Sequence, residues 1–212
     1  MVDVMGHAGM AATAVRYLRT VGASTSRGAA AEAPVAAGGY PRLRAVGDDE
    51  RAPVDPAEFR RVLGNFATGV TVITARPAED GPAGFACQSF ASLSLDPPLV
   101  SFMVARTSTS WPRIARAGAF CVNVLGVGQS DLCRGFAVSG ADKFAGVAYD
   151  AAPVSGAPRL AGATAWIDCT IQAVHTGGDH LIVVGRVDAL GAAEGDAEPL
   201  LFHRGAFGRF TR

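Results

Sequence analysis

The 212-residue sequence lacks the features that mark several large classes of protein. It has no block rich in lysine and arginine, and 19 basic residues balance 19 acidic ones, so neither nucleic acid nor an anionic membrane is indicated as a partner. No run approaches the roughly 18 apolar residues that a membrane-spanning helix needs. We therefore expect a cytoplasmic protein whose ligands are small molecules.

Paired cysteines and the common catalytic signatures are also absent. Cys87, Cys121, Cys133 and Cys169 never form a CxxC pair, so neither a zinc site nor a disulfide framework is indicated, and buried free thiols are expected. There is no GxGxxG after a strand, no GxxxxGK[ST], no HExxH and no GxSxG. We accordingly assign no catalytic nucleophile and no metal ligand.

The first 52 residues differ in composition from the rest of the chain. Nineteen of the first 47 are alanine or glycine, five are arginine, and the apolar residues keep no period. We predict a disordered extension over residues 1–52 and a folded domain over residues 53–212. The extension could also be a transit peptide. Alternatively, the start codon was assigned too far upstream, and the chain begins at Met5 or Met10.

The folded domain opens on a helix signal and continues mainly as strands. Asp55, Pro56 and Glu58 fit a capped helix start, and apolar residues follow at helical spacing: Phe59, Val62, Leu63 and Phe66. Strand patterns then outnumber helix patterns, with an interruption expected at Asp96, Pro97 and Pro98, and residues 199–210 are predicted as one last strand. A second helix is predicted after RTSTS, with Thr109 or Ser110 as its cap, Trp111, Ile114 and Ala115 facing inward, and Gly118 as its stop. The pattern indicates an antiparallel barrel or sandwich with short helices on its outside.

The segment GFACQSFASLSLDPPLVSF, residues 84–102, places small polar residues beside a predicted core strand. Small residues let a flat ligand lie close to the backbone, while hydroxyls and N–H groups offer hydrogen bonds. A flavin ring needs this combination. The alternative is a serine- and alanine-rich strand and turn that binds nothing.

Two further segments carry candidate binding groups. RTSTS, from Arg106 to Ser110, offers a cation and hydroxyls before a helix, which suits a phosphate, although a solvated loop with a helix cap is the alternative. HTGGDH places His175, Asp179 and His180 around a hairpin turn. These residues could be a polar hairpin tip, a metal site, or a group that positions substrate.

Taken together, seven segments resemble the flavin reductase family that serves two-component monooxygenases. They cover residues 55–210 in the order of the family: FRRVLGNFATGVTVIT, GFACQSFASLSLDPPLVSF, RTSTSW, FCVNVL, DKFAG, GGDHLIVVGRV and PLLFHRGAF. The resemblance implies a mainly β, antiparallel split barrel of Greek-key type with a few short peripheral helices. It also implies a homodimer with the flavin near the subunit interface.

The resemblance further implies site residues. FMN or FAD is expected to be bound, NADH or NADPH to be the co-substrate, and a separate oxygenase component to receive the reduced flavin. The residues expected along the ring and ribityl chain are Gly84, Phe85, Ala86, Gln88 and Ser89. Those expected near the phosphate are Met103, Val104, Ala105, Arg106, Thr107, Ser108, Thr109 and Ser110. His180 is expected to contact the nicotinamide, and Phe207 is also expected to bind substrate. His203 and Phe207 stand where relatives often have tyrosines, so polar contacts from this tail are not expected to match the family.

Two other functions remain open at the level of the sequence. A split barrel can also bind flavin or haem without catalysis, as a carrier or sensor. A pyridoxine-phosphate oxidase shares the barrel, but it needs several basic residues around a second phosphate, and the sequence offers Arg106 and, less clearly, Arg113 or Arg134.

Overall fold

The computed structural model describes residues 54–140 and 142–210, so the predicted extension over residues 1–52 lies outside the described residues. The described residues form three α-helices, twelve β-strands and one short 3₁₀ turn. The helices are α1 (Pro56–Leu63), α2 (Trp111–Ala117) and α3 (Ser130–Ala137). The strands are β1 (Thr68–Gly69), β2 (Thr71–Ala75), β3 (Ala83–Cys87), β4 (Ala91–Leu95), β5 (Pro98–Ala105), β6 (Ala119–Val124), β7 (Tyr149–Ala151), β8 (Pro158–Leu160), β9 (Ala165–Gly177), β10 (His180–Ala192), β11 (Leu200–His203) and β12 (Ala206–Arg209). The prediction of a mainly β protein with short helices is confirmed.

Helix α1 begins where the sequence predicts, although its cap differs in detail. The Asp55 carboxylate accepts hydrogen bonds from the N–H groups of Ala57 and Glu58, each at 2.9 Å. The predicted capping box does not form, because the Glu58 carboxylate pairs with Arg61 at 2.6 Å. The cap of α1 therefore depends on Asp55 alone.

Seven strands form one antiparallel sheet in the order β3-β2-β6-β9-β10-β5-β4. Two of them, β9 and β10, are the long hairpin that the sequence predicts, joined at Gly178 and Asp179. Strand β4 ends before the cis Asp96–Pro97 bond, and β5 begins at Pro98, so the predicted interruption lies between these two strands. Proline is tolerated there because it is the first residue of its strand.

The seven-stranded sheet curls so that the end of β3 returns to β5. At this seam the Ser89 hydroxyl accepts a hydrogen bond from the Met103 N–H at 2.9 Å and lies 3.0 Å from the Met103 carbonyl oxygen. Inside the curled sheet, Phe102 of β5 packs on Phe85, Phe120 and Trp111, with ring centroids 5.1 to 6.3 Å apart. The interior is therefore filled by aromatic side chains rather than left as a cavity.

The C-terminal segment covers the other side of the sheet. Strands β1, β11 and β12 form a small sheet, in which β11 and β12 are a hairpin that turns at Arg204 and Gly205. The prediction of a single last strand is therefore wrong, because both turn residues have positive φ and reverse the chain. A second core contains residues of β2, α3, β8 and β11 and the residues beside β2 and β6: Val70, Val72, Leu125, Cys133, Phe136, Leu160 and Leu200.

Helix α2 buries most of its predicted face. Trp111 and Ile114 are buried, and Gly118 ends the helix with a left-handed φ of 68°. Ala115 is exposed, contrary to the prediction, because Ala117 lies three residues after Ile114 and packs against the core instead. Over residues 54–140 and 142–210 no helix combines the length and apolar character that crossing a bilayer requires.

Candidate functional site

A cleft of about 520 Å³ opens at the seam where β3 approaches β5. Its walls come from the end of β3, from the end of β5 with the loop that follows, and from the segment at the end of α3. The predicted site residues that line it are Phe85, Ala86, Gln88, Ser89, Met103, Val104, Ala105, Thr107, Ser108, Thr109, Ser110 and His180. Segments far apart in the sequence are thus brought together at one site.

The wall from β3 combines apolar surface with free backbone groups. Phe85 lies half-buried on Phe102, with ring centroids 5.9 Å apart, and so presents an apolar side chain to the cleft. Strand β3 pairs only with β2 in its sheet, so alternate N–H groups point away from the ladder. Gln88 follows the strand with an exposed side chain. This wall can contact both the face and the polar edge of a flat ligand.

The wall after β5 supplies serine hydroxyls that are bonded within the protein and threonine hydroxyls that are exposed. The Ser110 side chain is buried, and its hydroxyl donates to the Gly84 carbonyl oxygen at 2.9 Å. Ser110 is the N-cap residue of α2, as predicted, but the side-chain hydrogen bond at the helix start comes from Ser108, whose hydroxyl accepts from the Trp111 N–H at 3.3 Å. Two threonines are exposed toward the cleft and available to a ligand: Thr107 and Thr109.

The hairpin between β9 and β10 places His180 at the mouth of the cleft. The His180 ring nitrogen Nδ1 lies 2.7 Å from the Asp179 carboxylate, and this hydrogen bond lowers the pKa of Asp179. With Nδ1 held in this way, the Nε2 atom is the ring nitrogen left for a ligand. His180 lies opposite Ala105 in the sheet, which explains why two remote segments share one edge of the cleft.

Three predicted site residues lie away from this cleft. Arg106 is exposed, and its main-chain N–H donates to the Asp179 carbonyl oxygen at 3.0 Å. Gly84 lines a neighbouring cleft of about 350 Å³. Phe207 packs on Phe202, and the same ring faces the guanidinium of Arg134. None of these three is therefore among the residues that line the cleft, although the Gly84 carbonyl oxygen borders it through its hydrogen bonds to Ser110 and Lys143, which do line it.

The sequence reasoning missed the third wall, which contains Lys143. The Lys143 amine donates to the carbonyl oxygens of Phe136 at 2.9 Å and Gly84 at 3.2 Å, and burial lowers the pKa of this amine. The signal was present, because Lys143 lies in the DKFAG segment that carries the family resemblance. The remaining residues of this wall, from the end of α3 onward, are Phe136, Ala137, Val138 and Ser139.

The cysteine of the site is not suited to attack a substrate. Cys87 lines the cleft, but burial raises the pKa of its thiol, so the reactive thiolate is disfavoured. Within the part of the chain that the structure describes, no three His, Cys, Asp or Glu side chains come close enough to hold a metal ion. The arrangement is suited to holding ligands in place rather than to forming a covalent bond with them.

Comparison with known protein families identifies the family of the chain. The model of the flavin reductase like domain matches residues 63–211, which is well over half of the chain. The protein belongs to the flavin reductase family. The prediction made from the seven sequence segments is thereby confirmed.

Relatives in this family are similar over most of the chain. The reductase subunit of a flavin-dependent monooxygenase from Rhodococcus jostii is 51% identical over 73% of this chain and 77% of that protein. A flavin reductase from Pseudomonas putida is 47% identical over 76% of this chain and 94% of that protein. The chain is thus a flavin reductase by family, an oxidoreductase that acts on flavin.

Solved structures confirm the split-barrel fold expected of a flavin reductase. The NADH:FAD oxidoreductase of Streptomyces globisporus, solved with NAD and FAD fragments, is 39% identical, with a TM-score of 0.70 over 76% of this chain and 98% of that one. Component B of nitrilotriacetate monooxygenase from Mycobacterium thermoresistibile is 47% identical, with a TM-score of 0.70 over 73% of this chain and 86% of that one.

The cleft has the properties that a flavin requires. Its volume lies within the range of about 300–1,000 Å³ that is usual for small-molecule sites. Phe85 offers apolar surface, Gln88 an exposed amide, and Thr107 and Thr109 exposed hydroxyl groups to a ligand in this cleft. The residues present therefore fit the cofactor that the family uses.

Proposed function

We propose that this protein oxidises NADH or NADPH, transfers the hydride to FMN or FAD, and releases reduced flavin to a separate monooxygenase component. Names of relatives support the partner, since the Rhodococcus jostii protein is the reductase subunit of a flavin-dependent monooxygenase. The proposal places the protein in the cytoplasm, where its four buried, unpaired cysteines stay reduced.

The observation that carries this proposal is the cleft at the barrel seam. The wall from β3, the wall after β5 and His180 of the β9–β10 hairpin surround one space of about 520 Å³. Burial raises the pKa of the Cys87 thiol, and no group of three possible metal ligands occurs among the described residues; hydride transfer between nicotinamide and flavin needs neither a thiolate nor a metal. Positioning is the chemistry that this cleft can supply.

The residues of the chain act by binding and orienting the two reactants. When bound, the flavin would supply the ring that accepts hydride from the nicotinamide. Phe85 and the end of β3, which line the cleft, would hold that ring. N–H groups near Gln88 would stabilise negative charge on the polar edge of the reduced ring. His180 at the mouth would orient the nicotinamide.

An assay of NADH oxidation with each flavin in turn tests the proposal. We expect flavin-dependent loss of NADH absorbance over many turnovers with FMN, FAD or both. We also expect hydroxylated product only when a separate oxygenase is added, because reduced flavin leaves the reductase. Tight flavin retention without NADH oxidation would instead indicate a carrier or sensor, and product formed without a second protein would contradict the release of reduced flavin.

Replacing His180 by alanine is expected to raise the Michaelis constant for NADH about tenfold, with a smaller change for flavin, since a positioning contact of this kind contributes about 1.4 kcal/mol. Steady-state kinetics with each substrate varied in turn measure both constants. His175→Ala is the matched control, because His175 lies exposed on the same hairpin and does not line the cleft. An unchanged NADH constant in His180→Ala would remove His180 from the site.

The homodimer is also part of the proposal, and the face of α1 supports it. Helix α1 and the residues after it carry four large apolar side chains that are about half exposed or more: Phe59, Val62, Leu63 and Phe66. Apolar residues grouped in this way mark surfaces that another protein covers. A second copy of the chain is the occupant that the family resemblance implies.

Replacing Phe66 by glutamate is expected to shift the protein from dimer toward monomer, because Phe66 is 77% exposed in the single chain and a charge would be buried in the interface. Light scattering coupled to size-exclusion chromatography measures the mass of each species. Val154→Glu is the control, since Val154 is an exposed apolar residue outside α1. A wild-type protein that is monomeric at all concentrations would contradict the proposed dimer.

A further inference from the structure

The flavin cleft contains a positive charge at a place that neither the sequence patterns nor the resemblance assigned. Among residues 54–140 and 142–210, Lys143 is the only lysine or arginine that lines this cleft. Arg106, the cation expected near the phosphate, is exposed and lies outside it. A cation inside a binding cleft matters because FMN and FAD differ from riboflavin by negatively charged phosphate groups.

Lys143 is held at the point where all three walls of the cleft meet. Its amine donates to the carbonyl oxygen of Phe136 at 2.9 Å and to that of Gly84 at 3.2 Å, and it lies 3.5 Å from the Ser110 hydroxyl oxygen. Phe136 belongs to the last turn of α3, Gly84 to β3, and Ser110 to the loop after β5. One side chain therefore connects the three segments that form the site.

The groups around Lys143 would repel an anion if the lysine were absent. The Phe136 carbonyl is at the C-terminal end of α3, where a helix carries partial negative charge. The Gly84 carbonyl oxygen also contacts the Lys143 amine. The Ser110 hydroxyl donates its hydrogen to this carbonyl, so its oxygen faces the amine as an acceptor. Without a cation, three oxygen atoms would present negative charge to this end of the cleft.

Other charged groups nearby are already paired or lie in the neighbouring cleft. Arg113 donates to the Pro82 carbonyl at 3.2 Å, and Asp80 pairs with Arg116 at 2.7 Å. Asp142 precedes Lys143 and is exposed, with its carboxylate bound to the Phe144 N–H at 3.1 Å. Lys143 is thus the cation that faces both the cleft and the threonine-rich loop.

We propose that Lys143 determines the preference of this reductase for phosphorylated flavins over riboflavin, by offsetting the carbonyl oxygens at the meeting point of the three walls. The inference rests on the proposed function, because it concerns the ligand of the same cleft. Lys143 acts as the positive charge that the phosphate groups of FMN and FAD meet.

Dissociation constants for riboflavin, FMN and FAD, measured by quenching of flavin fluorescence, test the inference. In Lys143→Met, which keeps the apolar stem and removes the charge, we expect FMN and FAD to bind about tenfold more weakly while riboflavin changes by less than about twofold. Lys143→Arg should keep most of the preference for FMN. Arg209→Met, an exposed charge outside the cleft, is the matched control.

Two results would overturn the inference. One is an equal loss of riboflavin and FMN affinity in Lys143→Met, which would leave Lys143 a structural role only. The other is a selective loss of FMN affinity in Arg106→Met but not in Lys143→Met. A wild-type protein that binds and reduces none of the three flavins would instead contradict the proposed function, so the two failures are distinguishable.

A measurement on the wild-type protein covers the case in which Lys143→Met does not fold. If a charge sets the preference, the ratio of riboflavin to FMN dissociation constants should fall as the salt concentration rises, because salt screens partly exposed charges. A ratio that stays the same from low to high salt would overturn the inference without any variant.

Discussion

Replacing Phe102 by alanine is expected to lower the free energy of unfolding by about 3–5 kcal/mol. Phe102 is fully buried at the centre of the barrel, where it contacts the rings of Phe85, Trp111 and Phe120. The loss combines the transfer of a phenyl ring with the cavity left behind. Because Phe85 lines the flavin cleft, flavin affinity should fall in the same variant.

Chemical denaturation followed by circular dichroism measures the stability change. Phe210→Ala is the matched control, since Phe210 is 56% exposed and its removal leaves no cavity. A loss below about 1 kcal/mol for Phe102→Ala would mean that the interior of the barrel is not packed as described.

Replacing Gly84 by alanine is expected to destabilise the protein by about 1–3 kcal/mol and to weaken flavin binding. A Cβ atom at this position would lie 2.9 Å from the Ile73 carbonyl oxygen and 2.9 Å from the Phe136 ring. Strand β3 must then move away from β2 or from α3. Either movement displaces Phe85 and the backbone groups after it, which form one wall of the cleft.

A second glycine provides the control for this substitution. Gly135 is exposed within α3, and nothing outside its own helix lies within 4 Å of an added Cβ. Gly135→Ala should stabilise the protein by about 0.5–1 kcal/mol, because alanine restricts the unfolded chain and favours the helix. Equal stability changes in the two variants would show that Gly84 is not tightly packed.

Local signals account for the parts of the fold that the sequence predicted correctly. The Asp55 cap, the stop at Gly118 and the β9–β10 hairpin each depend on residues close together in the chain. The turn at Arg204 was missed because positive φ is uncommon for arginine, so the residue gives little turn signal by itself.

The site was predicted less completely than the fold, for physical reasons. The seam depends on how far the sheet curls, and no local pattern encodes that distance between β3 and β5. Arg106 follows the last residue of β5 that pairs with β10, and its main-chain bond to Asp179 joins segments far apart in the sequence, so no local pattern shows that it lies outside the cleft lining. Lys143 lies more than 30 residues from either neighbouring wall in the sequence, and hydrogen bonds to main-chain oxygens leave no sequence pattern.

The hydrogen bonds of Ser89 at the barrel seam bear on how substrates enter and leave. Phe102 and its neighbours fill the barrel interior, while the cleft lies on the outside of the seam that Ser89 holds closed. A ligand can therefore exchange with solvent without opening the packed interior or breaking a strand pair. A binding cleft on the outside of the barrel suits an enzyme whose product must diffuse to another protein, because the product can be released without any change in the fold.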